Sequence, residues 1–220
     1  MFRVKICGVT SVADALMAAA AGADAIGLNC YSGSRRYCSL ERAREIAAAL
    51  PPHICKVGVF VKAPAEEILA TVSAVGLDLV QLHGDEPVEF LKELRPLAVA
   101  KVFRMNEQCP HVGEYLAQSR RQGCLPRMAF VDAFSAKEYG GTGAVVDWQA
   151  LAQCRRDFAG VPLVLAGGLT PDNVAQAIKI VRPWAVDTAS GVEDSPGQKS
   201  AEKVRAFVAA ALGMFSTVRT

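Results

Sequence analysis

Cys7 in "KICGVT" (5–10), His83 in "QLHGDE" (81–86), Asp132 in "RMAFVDA" (127–133) and Asp187 in "WAVDTAS" (184–190) each close a short β-rich run. A thiol, an imidazole and two carboxylates are the groups that exchange protons with a substrate, so side chains gathered from these positions could do acid–base chemistry. Each also has a plain alternative. A cysteine is often a buried small hydrophobe. An aspartate at a strand end is often a cap or turn residue, and a lone histidine is often held by hydrogen bonds in a core. The elements that carry these residues must decide.

Those elements alternate strictly. Strands are predicted at 2–7, 25–30, 54–61, 77–83, 98–104, 127–133, 161–167 and 184–190. Helical stretches at 11–21, 39–50, 64–75, 87–95, 111–121, 147–157, 171–181 and 197–212 fall between and after them. Ser39 is a candidate helix cap, and Pro64, Pro87 and Pro171 read as first helical residues. Regular βα alternation requires parallel strands with helical crossovers. Eight such units predict one α/β domain over residues 1–220, a single (β/α)8 TIM barrel, in preference to an open doubly wound sheet.

Strand parity agrees. Val4 and Ile6 share one face of the first strand, while Arg3, Lys5 and Cys7 share the other. Val80 and Leu82 oppose Gln81 and His83, and Val131 opposes Phe130 and Asp132. Cys7, His83, Arg104, Asp132 and Asp187 thus converge on the inward C-terminal ends of strands, the rim where barrels of this kind place their chemistry.

Composition narrows the partners. A net charge of +2 over 220 residues gives no broad attraction for nucleic acid or anionic lipid. The Ala-rich "DALMAAAAGADAIG" is interrupted by Asp14 and Asp24, which predicts a helix and not a membrane span. The seven cysteines (7, 30, 38, 55, 109, 124 and 154) are odd in number and form no C-x-x-C pair. Free thiols in a reducing, cytoplasmic setting are expected, with neither a disulfide framework nor a metal site.

Glycines cluster after the last three strands, in "YGGTG" (139–143), "LAGGL" (165–169) and "TASGVE" (188–193). Glycine lets backbone N–H groups approach an anion closely, and the loops after the seventh and eighth strands are the usual phosphate cradle of barrels. Gly141, Gly143, Gly167, Gly168 and Gly191 are the candidates. Neither a P-loop nor a dinucleotide glycine signature is present, so the expected ligand is a small phosphorylated metabolite.

"KICGVT", "QLHGDE", "DAFSAKEYGGTG" (132–143), "LAGGLTPDNV" (165–174) and "VDTASGVEDSPGQKS" (186–200), in this order and spacing, resemble the phosphoribosylanthranilate isomerase family of tryptophan biosynthesis. The resemblance runs from the first strand to the last helix. It implies an Amadori rearrangement, an aldose–ketose isomerisation without metal or organic cofactor. It implies Cys7 as general base and Asp132 as general acid, with His83 and Asp187 on the substrate and Ser190 joining Gly191 at the phosphate. The thiol must then be partly thiolate and the carboxyl partly protonated, away from ordinary values of about 8.5 and about 3.9. Lys5 is expected to favour the thiolate, and burial to raise Asp132.

The family pattern also places an arginine after the second strand for the anthranilate carboxylate. Here Ser34-Arg35-Arg36 stands where Ser-Pro-Arg is usual, which assigns Arg36 to the carboxylate. Without the proline the loop is expected to be freer, with Arg35 a rival cation; Asn29 replaces an expected apolar residue. A monomer or weak homodimer is expected. Two other readings stand beside this one: a barrel enzyme for a different phosphorylated sugar, and a non-catalytic barrel that binds a phosphorylated ligand.

Overall fold

A computed structural model describes residues 1–105, 110–133, 146–158 and 160–218. Eight strands close into a barrel in sequence order: β1 (Val4–Cys7), β2 (Ala25–Asn29), β3 (Cys55–Phe60), β4 (Leu79–Leu82), β5 (Val99–Met105), β6 (Met128–Ala133), β7 (Leu163–Leu165) and β8 (Ala185–Thr188). Every neighbouring pair is parallel, and β1 pairs with β8 to seal the cylinder. The helices are α1 (Val12–Ala20), α2 (Leu40–Ala49), α3 (Ala65–Val75), α4 (Phe90–Glu93), α5 (Pro110–Arg121), α6 (Trp148–Gln153), α7 (Val174–Val181) and α8 (Ala201–Val218).

The expected alternation is present, and its parity holds in the packing. Val4, Ile6, Val80, Leu82 and Val131 belong to the apolar layer between strands and helices. Phe2, Val57, Met128, Phe130 and Val164 fill the barrel's interior from the alternate positions. Caps fix the joints. The Ser39 hydroxyl accepts from the Arg42 N–H and the Ser11 hydroxyl from the Asp14 N–H. Asp24 accepts from the N–H groups of Arg3 and Val4 at 2.8 and 3.0 Å, which ties the start of β1 to the segment before β2.

The prolines behave differently from expectation. Pro64 is an extended cap residue outside α3, not its first residue. Pro87 opens a run of short i→i−3 bonds, Phe90 to Pro87, Leu91 to Val88 and Lys92 to Glu89, so only 90–93 of the expected 87–95 is α-helical. Pro171 sits in a turn, and α7 begins three residues later because Asn173 is committed to the preceding loop. The helix expected at 197–212 lies at 201–218, because residues 193–199 form an antiparallel hairpin instead: β9 (Glu193–Ser195) and β10 (Gln198–Lys199) around Pro196-Gly197.

Phe130 is fully buried in the barrel interior, with its ring centroid 6.3 Å from that of Phe2. Phe130→Ala is expected to cost about 3–5 kcal/mol of stability. Chemical denaturation of the two proteins, compared at equal slope, checks this; an unchanged midpoint would contradict the interior packing.

Candidate active site

Cys7 ends β1 with its side chain at the rim, half-buried and open to the cleft. Its neighbour in register on β2 is Gly27. A methyl group there would fall 2.7 Å from Cys7 Sγ and 3.0 Å from Lys5 Nζ, so the missing side chain is what lets thiol and ammonium share this space. Lys5 is fully buried one layer below and donates to Asp187 Oδ1 at 3.0 Å.

Burial opposes the charge on Lys5, but attraction from Asp187 and Cys7 outweighs it, and its pKa lies above the ordinary lysine value. Burial pushes the Cys7 thiol up; Lys5 and Lys199 pull it down, and Asp187 adds to the rise. Lys5 favours the thiolate as expected, but desolvation is larger and the net direction is up. Asp187 is also held above the ordinary carboxyl value, by burial first and by Asp132 in part, against the pull of Lys5.

Asp132 stands near the end of β6, buried, with Oδ1 accepting from the Ala133 N–H at 2.8 Å. Gly167, at φ +81°, passes so close that a methyl group would lie 2.8 Å from that oxygen. His83 Nε2 lies 3.2 Å from Asp132 Oδ2, yet too far out of line to count as a hydrogen bond. The loop behind His83 is braced by Glu86: Oε1 accepts from the N–H groups of Lys62 and Gly84, and Oε2 from Lys101 at 2.8 Å. This gives the "HGDE" run a structural task.

Arg36 is buried at the mouth of the cleft, and a bidentate carboxylate holds it. Nε donates to both oxygens of Glu193 at 2.9 and 3.1 Å, and Nη2 donates to Oε2 at 2.7 Å. Gly8, at φ +68°, makes room, since a methyl group there would sit 2.5 Å from Arg36 Cδ. Lys199, also buried, donates to Glu193 Oε1 at 2.7 Å and to the Ala189 carbonyl at 3.0 Å. The two cations outweigh the cost of burying Glu193 and keep its pKa below the ordinary carboxyl value.

Side-chain hydrogen bonds hold the loop before Arg36. Asn29 Nδ2 donates to Ser34 Oγ at 3.0 Å, Asn29 Oδ1 accepts from the Tyr31 N–H, and Ser34 Oγ accepts from the Arg36 N–H. Arg35 is exposed and not part of the cleft lining, which leaves Arg36 as the cation there.

One cleft of about 610 Å³ is lined by Cys7, Arg36, His83, Asp132, Asp187, Gly167, Gly168 and Ser190 together. Gly191 is not in the lining; it packs behind, so close to Leu169 that a side chain would strike the Leu169 carbonyl. Gly141 and Gly143, with Cys109, lie outside the described residues. Gly167 and Gly168 both have positive φ, and Asn173 staples their turn by accepting from the Thr170 N–H and donating to the Gly168 carbonyl. Thr188 Oγ1 donates to the Leu169 carbonyl, joining this turn to the one after β8. Among the described residues no cluster of three or more His, Cys, Asp or Glu is placed to hold a metal ion, and no helix is long and apolar enough to cross a membrane.

Sequence reasoning missed Gln81, Glu193, Lys199 and Gly27. Gln81 shares the face of His83, lines the cleft, and has a buried Oε1 with no partner; strand parity could have found it. The turn residues Ser195-Pro196-Gly197 between Glu193 and Lys199 signal the hairpin.

Comparison with known proteins gives a consistent result. The family model described as N-(5'phosphoribosyl)anthranilate (PRA) isomerase matches residues 4–210. A Pseudomonas aeruginosa protein named N-(5'-phosphoribosyl)anthranilate isomerase is 48% identical over 207 residues, covering 94% of this chain and 93% of the relative. A Geobacter metallireducens protein of the same name is 43% identical over 210 residues, covering 94% and 98%. The crystal structure of phosphoribosyl anthranilate isomerase from Thermotoga maritima superposes with a TM-score of 0.84 at 39% identity, covering 97% and 100%. Another solved structure, a phosphoribosyl anthranilate isomerase in complex with reduced 1-(o-carboxyphenylamino)-1-deoxyribulose 5-phosphate, gives 0.81 at 39% identity over the same shares.

The Glu193 linkage has a definite sign. Its folded pKa is below the ordinary value of 4.5, so the stabilisation is present above that value and is lost as pH falls through the folded pKa. Glu193→Gln is therefore expected to melt below wild type at neutral pH, the gap closing below about pH 4. Melting curves from pH 3 to 8 check it, and a gap independent of pH would contradict the pairing.

Proposed function

The chain belongs to the N-(5'-phosphoribosyl)anthranilate isomerase family, and from that membership we propose that the cleft at the C-terminal rim is its catalytic centre. Its activity is the Amadori rearrangement of N-(5-phosphoribosyl)anthranilate to 1-(2-carboxyphenylamino)-1-deoxyribulose 5-phosphate. The observation that carries the site assignment is the convergence of Cys7, Asp132 and Arg36, from three separate elements, on one cleft beside the Gly167-Gly168 turn.

Each step of the reaction has a group suited to it. Asp132, as acid, protonates the furanose ring oxygen while the C1–O bond breaks, and the anilino nitrogen's lone pair forms the C1=N Schiff base. Cys7, as thiolate, then removes the C2 proton, and the electron pair flows toward the iminium nitrogen to give an enolamine. Tautomerisation to the aminoketone completes the change. The substrate's own nitrogen is the electron sink, so the protein needs only to place an acid and a base on either side of C1 and C2.

Binding groups fix the two ends. Arg36, its plane set by Glu193, would receive the anthranilate carboxylate. The turns at Gly167-Gly168 and Ser190-Gly191 would hold the phosphate through backbone N–H groups, with Gly141 and Gly143 as further candidates from the sequence. His83 and Asp187 would meet the ribose hydroxyls. Free thiols on several elements suit a reducing cytoplasm.

Cys7→Ser and Asp132→Asn are each expected to lower turnover of freshly generated phosphoribosylanthranilate by at least about 10²-fold, followed by the loss of anthranilate-type fluorescence. Wild-type turnover against pH is expected to be a bell whose upper limb lies above the ordinary thiol value of about 8.5, because burial raises Cys7. Full activity in Cys7→Ser would remove the thiol from the mechanism.

A further inference from the structure

Among the described residues Lys5 is the largest fully buried side chain, and it is charged. Apolar residues lie below and beside it: Phe130 lies beneath, its ring centroid 5.4 Å from Lys5 Nζ, and Ala25 is its register partner on β2. A buried ion pair such as Lys5 with Asp187 contributes little net stability, because desolvation of both charges offsets their attraction, and apolar residues often fill such a place as well. The position of the ammonium is the clue to its use. The same missing methyl of Gly27 that admits Cys7 Sγ also admits Lys5 Nζ.

We propose that Lys5 is the positioning residue that stabilises the thiolate against the cost of its burial: its ammonium, held in place by Asp187 from the adjoining strand, stands beside Cys7 Sγ in the space that Gly27 leaves open. The idea rests on Cys7 as the base of the isomerisation. The charged groups facing the sulfur come from several elements: Lys5 on β1, Asp187 on β8 and Lys199 on β10, with Asp132 on β6 and His83 just after β4 acting on Asp187. Lys199 is already engaged with Glu193 and the Ala189 carbonyl, which leaves Lys5 as the cation nearest in role to the sulfur. Asp187 then has two opposed effects. It anchors the lysine, and it repels the thiolate.

That opposition supplies a test with two signs. The rate of Cys7 alkylation by iodoacetamide, followed by peptide-resolved mass spectrometry across pH 6 to 11, reports the thiolate fraction directly. Lys5→Met is expected to move the midpoint up and slow alkylation at pH 8 by at least about tenfold, one pKa unit being tenfold. Asp187→Asn, which keeps an oxygen to accept from Lys5, is expected to move it down. Turnover in Lys5→Met should fall through kcat with KM little changed, since Lys5 lies beneath the cleft and does not line it. If Lys5→Met does not fold, Lys5→Met combined with Asp187→Asn removes both charges and carries the test, its midpoint expected above that of Asp187→Asn alone. Midpoints that do not move in folded variants would overturn the proposal while wild-type turnover upheld the isomerase assignment. Shifted midpoints in a wild type that does not turn over phosphoribosylanthranilate would do the reverse.

Discussion

Lys5 and Asp187 face each other across the seam where the first and last strands meet, in register as partners of the β1–β8 ladder. Barrel closure brings them together: the two residues are 182 positions apart in the chain, and no local element could pair them. Their charges are buried in the layer directly below the rim, so the thiol above is set in an electrostatic environment fixed by the sheet itself. Desolvation raises Cys7 and the ammonium restrains the rise. A base that must take a carbon-bound proton gains from this balance, since a strongly depressed thiol would be a weak acceptor.

The same logic of paired, buried charge recurs at the mouth. Arg36, Glu193 and Lys199 join the loop after β2 to the hairpin after β8, so the guanidinium is fixed by a bidentate carboxylate before any ligand arrives. A clamp held in plane in this way loses less freedom on binding a carboxylate than a mobile arginine would. Strand ends supply Cys7, His83, Asp132 and Asp187, whereas loops supply Arg36 and the glycine turns. The groups proposed to react thus stand on the sheet, and those proposed to hold the substrate's ends stand on stapled loops.

Much of this was legible in sequence, for a physical reason. A parallel barrel buries both faces of each strand, one against helices and one in the interior, so period-two alternation around polar strand ends marks which residues face inward. Cys7, His83, Asp132 and Asp187 were placed at one rim that way, and they do line one cleft, while the roles proposed for them come from the five ordered motifs. The hairpin at 193–199 was not legible, because a two-residue strand carries no period; its turn residues were the usable sign. Glu193 could not be matched to Arg36 from sequence, since the contact spans 157 positions and depends on how two loops fold over one rim. The late starts of α4 and α7 both follow a proline. A proline sets its own φ, but the bonds after it decide whether an α-helix continues: backbone i→i−3 bonds follow Pro87, and the Asn173 side chain is committed to the loop around Pro171. The direction of the Cys7 shift was also beyond reach, because the lysine is visible in sequence and the depth of burial is not.

The measurement that bears most directly on this account is a crystal structure of the protein with the reduced product analogue that a relative binds. The account predicts the phosphate on the Gly167-Gly168 and Ser190-Gly191 turns and the anthranilate carboxylate on Arg36. It also predicts C2 within reach of Cys7 Sγ and the carbinol oxygen derived from the ring on the side of Asp132. A ligand bound with its carboxylate away from Arg36, or with Cys7 and Asp132 both distant from C1 and C2, would contradict it.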